Sequence, residues 1–235
     1  MNVAIIAAAG QGRRLGGHRA KQFLELAGVP VIIHTLRRFE QCASIHEIVV
    51  VLPQDERASF LELASKYSLL KLASVVAGGR TRAESVWRGL QSVRAQTANV
   101  VAVHDGVRPF VTPEEIGRAV EAAELGGASI LAAPVVDTIK EVRGVEVLRT
   151  VERSSLMRAL TPQCFRYEIL RRAFESAGAE GFDATDDSLL VERLGVPVTI
   201  VEGDARNIKI TRPEDIAFAE ILLKQNSEFR TQKSE

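Results

Sequence analysis

The run Glu47–Leu52, EIVVVL, is apolar at every position after its first residue. A strand with one wet face alternates polar and apolar residues, so this strand must be covered on both faces. Val3–Ala8, Leu72–Val76, Val100–Val103 and Ser129–Pro134 are further short, largely apolar runs. Helix-like segments separate them: Val31–Phe39, Gln54–Ala64, and Arg82–Val93 with Val86, Leu90 and Val93 on one face. Another helix opens at Thr112, with Pro113 at its first position and Glu115 three residues after the threonine. Buried strands alternating with helices predict an α/β fold: a mostly parallel sheet covered by helices on both faces. With 235 residues, 46% hydrophobic and 26% charged, the chain can fill such a core.

The rhythm breaks at Val136–Val151, VDTIKEVRGVEVLRTV, where two alternating runs flank Arg143-Gly144. That pattern predicts a β-hairpin. A lone two-stranded hairpin is marginal in water, so the parent domain or a second subunit must cover it. Beyond it the sequence predicts a strand at Cys164–Arg166, a helix at Tyr167–Ala177 and a helix starting near Thr185. Strands follow at Val198–Val201 and Ile208–Ile210, then a last helix from Thr211 with Glu214 as capping partner. The tail after Gln225 is expected to fray. The expectation is one domain over residues 1–235, with a protruding β-arm at about 136–153 inserted.

Net charge is zero and the pI is about 6.9, which argues against a general nucleic-acid binder; any anion site must be a local concentration of charge. The two cysteines, Cys42 and Cys164, lack metal-type spacing and are expected to be buried thiols in a reducing compartment. The opening MNVAIIAAAG has no cationic leader, and its apolar run is too short to span a bilayer. A soluble, cytoplasmic protein with no membrane partner is the expectation.

Ala7–Gln22 reads AAAGQGRRLGGHRAKQ. Gly10, Gly12, Gly16 and Gly17 share it with Arg13, Arg14, Arg19 and Lys21, and it holds no acidic residue. Glycines let backbone N–H groups close on an anion, and in open α/β sheets ligands sit at the carboxyl ends of strands. Polyphosphate is the ligand this composition suits. A dinucleotide fingerprint fails because Leu15 stands where the third glycine is needed, and a P-loop fails because His18 replaces its lysine. Gly78-Gly79-Arg80-Thr81-Arg82-Ala83-Glu84-Ser85-Val86 lies at a second strand-to-helix junction. The strand Val100–Val103 runs into His104-Asp105-Gly106-Val107-Arg108-Pro109. A carboxylate there suits Mg²⁺, which takes one or two carboxylates plus substrate phosphates. His104 is expected to be a packed core histidine rather than a base.

These stretches, with KQFL, DTIK, ERSSL, TPQCF, TDD and NIKITRPED, occur in order from Ala7 to Asp215. Together they resemble the 2-C-methyl-D-erythritol 4-phosphate cytidylyltransferase family of the non-mevalonate isoprenoid pathway. Val107 stands where most members carry alanine, and valine there also occurs in ribitol-5-phosphate cytidylyltransferases. Glu152-Arg153 replaces the more usual Asp-Arg.

The resemblance implies a Rossmann-like nucleotidyltransferase domain that transfers CMP from CTP to methylerythritol phosphate and releases pyrophosphate. It implies that Arg14 and Lys21 stabilise the charged α-phosphate and that Arg153 and Lys209 hold the attacking phosphate. Asp105 would bind Mg²⁺ or another divalent cation, and Arg108 and Thr138 would make lesser substrate contacts. Ala8, Gly10, Gly12, Gly79 and Ser85 would cradle CTP. It further implies a homodimer in which the arm completes the partner's site. From the length of 235 residues, no appended second enzyme domain is expected. Alternatives are a ribitol-5-phosphate cytidylyltransferase, a sugar-1-phosphate nucleotidyltransferase using another nucleotide, and a non-catalytic nucleotide-binding module.

Overall fold

The structure is a computed structural model; it describes residues 1–10, 21–181, 184 and 186–232, with only the backbone at Lys21, Pro213 and 226–232. Its centre is a seven-stranded sheet in the order β11-β7-β10-β6-β1-β4-β5. The strands are β1 (Val3–Ala7), β4 (Glu47–Leu52), β5 (Leu72–Ala77), β6 (Val100–Asp105), β7 (Ala128–Pro134), β10 (Met157–Arg166) and β11 (Thr199–Glu202). Only β10 runs antiparallel to its neighbours, so the expected mostly parallel sheet forms. Two small ribbons stand apart: β2 (Glu25–Leu26) with β3 (Val29–Pro30), and β8 (Ile139–Arg143) with β9 (Glu146–Val151).

Strand periodicity sorts the core into two layers. Ala4, Ile6, Ile48, Val50, Leu52, Val100 and Ala102 point to one face, which α1 (Val31–Gln41), α2 (Arg57–Ala64) and α4 (Pro113–Gly126) cover. Val3, Ile5, Val49, Val51, Val101 and Val103 point to the other, under α3 (Arg82–Gln91), α5 (Tyr167–Glu180) and α6 (Asp187–Arg193). Helix α7 (Pro213–Gln232) closes a third cluster of Leu26, Val31, Val107, Phe110, Ile210, Ala219 and Leu222. Both cysteines are buried and unbridged. Among the described residues no helix is long and apolar enough to cross a membrane.

The Thr112 cap forms as expected. Its hydroxyl accepts from Glu115 N–H at 3.2 Å, and Glu115 Oε2 accepts from Thr112 N–H at 2.8 Å. Elsewhere the boundaries move. The Gln54–Ala64 helix begins as a 3-10 turn over Gln54–Glu56. The strand expected at Cys164–Arg166 starts at Met157, because its first residues pair with β7. The hairpin forms, but Arg143 pairs with Glu146, which makes Gly144-Val145 the turn; Gly144 has φ +60°. Ile208–Ile210 is not a strand. Its alternation arises because Ile208 and Ile210 pack toward α7, and a hydrogen bond from Ile210 N–H to Val107 O (2.9 Å) ties it. The last helix is capped by Asp215 instead of Glu214: its Oδ2 accepts from the N–H groups of Thr211 (2.7 Å) and Arg212 (2.8 Å). The helical backbone continues beyond Gln225 to Gln232.

Helix α3 approaches the sheet closely at Gly89, where an added Cβ would lie 2.8 Å from Ile5 Cγ2 and 2.9 Å from Val51 Cγ2. Alanine favours an isolated helix over glycine by roughly 1 kcal/mol. Here Gly89→Ala must push the helix off its seat, and a loss of about 1–3 kcal/mol in a urea melt is expected. A variant as stable as the parent would show that this contact has slack.

Candidate active site

The sheet reverses its order at β1: β4 lies on one side and β6 on the other. Ligands in open α/β sheets bind outside the strand carboxyl ends at such a point. Three turns meet there because single backbone bonds extend the ladders past their ends. Ala8 N–H donates to Val51 O (2.9 Å), Gly78 N–H to Leu52 O (2.7 Å), and Gly106 N–H to Ala7 O (2.9 Å). The turns nearly touch, since a Cβ on Gly78 would sit 2.2 Å from that of Ala9. Between them opens a cleft of about 810 Å³, walled by Ala8, Gly10, Gly79, Ser85, Asp105 and Lys209, with Gln22, Arg82 and Arg88 also on its wall.

Asp105 ends β6 directly beside Ala7 of β1. Its carboxylate faces three cations: Lys209 Nζ at 2.8 Å, Arg108 Nε at 3.3 Å and Arg82 Nε at 3.5 Å. Burial pushes its pKa up, but Lys209, Arg82 and Arg108 outweigh that and hold it below the usual carboxylate range. Arg82 also reaches Asp187 Oδ2 at 2.8 Å. Asp187 is buried, and desolvation outweighs the Arg82 guanidinium, so its pKa is raised.

His104 is the packed core histidine expected of it. It is fully buried against Phe39, with ring centroids 4.9 Å apart. Its Nε2 faces the Arg108 carbonyl at 3.1 Å, which can only accept, so Nε2 carries the proton. Nδ1 then accepts from the Thr161 hydroxyl at 2.9 Å.

Of the residues expected to cradle the nucleotide, Ala8, Gly10, Gly79 and Ser85 line the cleft. Gly79 N–H donates to Ser85 Oγ (3.0 Å), and Ser85 Oγ donates to Thr81 O (2.8 Å). A Cβ on Gly10 would meet nothing within 4 Å among the described residues. Gly12 and Arg14 lie outside the described residues, as does the side chain of Lys21, whose backbone opens a 3-10 turn. Arg108 does not line the cleft; its Nη1 donates to Asn207 O at 2.8 Å, so it braces Asp105 from behind. Thr138 and Arg153 are exposed on the arm and do not reach the cleft within one chain; Arg153 donates to Val136 O. Val107 is 5% exposed and packs with Ile210 and Leu222.

Arg82, Asp187, Gln163, Thr161 and Gln22 carried no assigned role in the sequence. Gln22 is 1% exposed on the cleft wall, and its Nε2 has no partner among the described residues. Their signal lay in the motifs themselves, since KQFL, GGRTRAESV, TPQ and TDD contain all five.

Residues 2–225 match the family described as 2-C-methyl-D-erythritol 4-phosphate cytidylyltransferase, IspD. The chain belongs to that family. A member from Bacillus velezensis is 46% identical over 226 residues, spanning 96% of this chain and 97% of that one. The solved 4-diphosphocytidyl-2C-methyl-D-erythritol synthase of Anaerococcus prevotii superposes with a TM-score of 0.84 at 32% identity, covering 95% of this chain and 96% of its own. The Thermus thermophilus cytidylyltransferase gives 0.76 at 35% identity over 94% of this chain and 98% of that one.

Burial pushes the His104 pKa down to about 4 from 6.5, against the opposing pull of the Arg108 carbonyl and Asp105. Between those values the unfolded chain takes up a proton that the folded cytidylyltransferase does not. Stability therefore falls as pH drops from about 6.5 to 4, by on the order of 3 kcal/mol from this group. Denaturant titrations across that window should show a shallower decline in His104→Gln. Equal declines in the two proteins would refute the neutral, buried assignment.

Proposed function

We infer that this chain transfers CMP from CTP to 2-C-methyl-D-erythritol 4-phosphate, giving 4-CDP-2-C-methyl-D-erythritol and pyrophosphate for isoprenoid precursors. The observation that carries this is Asp105: an ionised carboxylate set among three cations on the wall of a glycine-lined cleft, in a chain of this family. Both reactants are anions. Two unit charges ~4 Å apart repel by roughly 4 kcal/mol at an effective dielectric near 20, so neutralisation and alignment are the main catalytic tasks.

The sheet's turns would hold the nucleotide. Ala8, Gly10, Gly12 and Gly79 would offer backbone, and Ser85 would fix the second turn. Arg14 and Lys21 would meet the charge that builds on the α-phosphate. Lys209 lines the cleft with its ammonium held by Asp105, so an arriving phosphate meets a cation already positioned. Among the described residues no three carboxylate, imidazole or thiol groups gather as a metal cage. Mg²⁺ with substrate phosphates needs only one or two carboxylates, and Asp105 fits that demand. When bound there, the divalent cation would draw negative charge from the phosphate oxygens.

Arg153 and Thr138 would act on a partner's cleft. Val142, Val145 and Val147 stand exposed on the arm, whose two strands pair only with each other among the described residues. Such a ribbon needs a cover. A homodimer formed through it would supply the cover and bring Arg153 to an attacking phosphate. We read residues 1–235 as one nucleotidyltransferase domain with this arm, working in the cytoplasm without nucleic-acid or membrane partners.

Pyrophosphate release from CTP with methylerythritol phosphate and with ribitol 5-phosphate, side by side, tests the reaction. Preference for ribitol 5-phosphate would replace this reading, and tight CTP binding without turnover would indicate a nucleotide-binding module. Arg14→Ala and Lys21→Ala should each lower kcat by ~10²–10³ with the fold intact; normal turnover in both would refute their roles. Arg153→Ala and Lys209→Ala should weaken the alcohol phosphate while sparing CTP. A calorimetric titration in which CTP weakens as much would contradict that division.

A further inference from the structure

The segments that meet around Asp105 come from distant parts of the chain, yet all are fastened to one tract of β10. Thr161 Oγ1 accepts from Asp105 N–H at 3.2 Å and donates to His104 Nδ1 at 2.9 Å. The Thr161 carbonyl accepts from Asn207 Nδ2 at 2.8 Å, two residues before Lys209. Gln163 Oε1 accepts from the N–H groups of Asp187 (3.0 Å) and Ser188 (3.1 Å), while its Nε2 donates to Asp186 Oδ2 (2.9 Å). Thr161, Gln163, Asp187 and Asn207 are all buried, and none of them lines the cleft.

The tract is free to do this because it leaves the ladders. Pairing of β10 with β7 is interrupted between Ala159 and Gln163, and pairing with β6 starts only at Gln163. Outside the regular ladder, Thr161 offers its carbonyl to the loop at Asn207 and its hydroxyl to the last two residues of β6. Bulges of this kind commonly re-aim residues beside active sites.

We propose that Thr161 and Gln163 are positioning residues of the nucleotidyl transfer. They touch no substrate and work by two routes. Thr161 fixes Asp105 through its backbone N–H and, through Asn207, the approach of Lys209. Gln163 seats the start of α6 so that Asp187 can pair with Arg82 Nη2 at 2.8 Å, and the same guanidinium turns its Nε toward Asp105 Oδ1 at 3.5 Å. The carboxylate and its cations thus keep one spacing, set from behind the cleft. This rests on the transfer reaction inferred above.

Valine keeps the size and branching of threonine and removes only the hydroxyl with its hydrogen bonds. Here valine would leave Asp105 N–H and His104 Nδ1 without their partner. A misplacement of about 1 Å in a catalytic group can cost ~10²-fold in rate. Thr161→Val is expected to lower kcat by about 10–100-fold while the Kd for CTP changes by less than about threefold, because Ala8, Gly10, Gly79 and Ser85 belong to other elements. Thr161→Ser, which retains the hydroxyl, should stay within about threefold of the parent. Gln163→Glu keeps its size and its acceptor but sets a carboxylate against Asp186. It should lower kcat similarly, and it tests the second route should the valine variant fail to fold.

A crystal structure of each folded variant gives a readout independent of the substrate. The Lys209–Asp105 contact, 2.8 Å in the parent, should open in Thr161→Val, and the Arg82–Asp187 contact in Gln163→Glu. Unchanged kcat in these two variants overturns the proposal. So does a lowered kcat with both contacts intact. Failure of the parent to join CTP to methylerythritol phosphate would instead count against the reaction, and the contact distances would still decide the positioning role.

Discussion

Burying a carboxylate costs several kcal/mol unless cations and hydrogen bonds compensate it, and this protein buries one where its two central strands end. Asp105 is 6% exposed, with Lys209, Arg108 and Arg82 around it. Those cations come from three separate segments: the β6 turn, the first turn of α3 and the stretch before α7. None of the segments is held there by a sheet ladder of its own. The carboxylate therefore orders the cleft as well as serving it, because each partner withdrawn leaves charge buried without compensation. Arg82 extends the demand to Asp187, a second buried carboxylate with no other cation among the described residues.

The fold makes such a site possible by rigidity elsewhere. β1, β4 and β6 are buried on both faces, and their backbone groups are spent in parallel ladders. Their carboxyl ends are consequently fixed, and the turns leaving them can crowd together. Gly78 allows the second turn to press on Ala9, which brings the two glycine-bearing turns to one wall. His104 belongs to this scaffold. Its neutral ring bridges Thr161 to the Arg108 carbonyl and so closes the turn that carries Asp105.

Local signals were legible in the sequence wherever one segment decides its own state. EIVVVL can only be a doubly covered strand, and Thr112-Pro113 with Glu115 can hardly be anything but a helix start. Asp105 stood out as a carboxylate at a strand end, although a turn or cap residue was as good a reading of it alone; the structure sets it on the cleft wall. Ile208–Ile210 misled because an extended segment packed on a helix shows the same alternation as a strand. The pairings of Arg82 with Asp187 and of Gln163 with the start of α6 were out of reach, since they join residues far apart in the chain and leave no periodic trace. Val107 looked like a mark of substrate choice, yet its side chain packs with Ile210 and Leu222, so its size answers to the seating of the Lys209 segment.

Charge balance explains why the described cleft is only part of the machinery. Around Asp105, three cations face two carboxylates, leaving a small positive surplus for a triphosphate and a second phosphate. At the rim, Arg88 is already paired with Glu84 (2.6 Å). The chain as a whole is neutral, so cations for the substrates must be segregated from acids along the sequence. One tract meets that condition: the opening loop, with Arg13, Arg14, Arg19 and Lys21 and no acidic residue. The internal cluster is then a nearly compensated base, and under the proposed reaction the loop's cations would be the groups that answer the anions it receives.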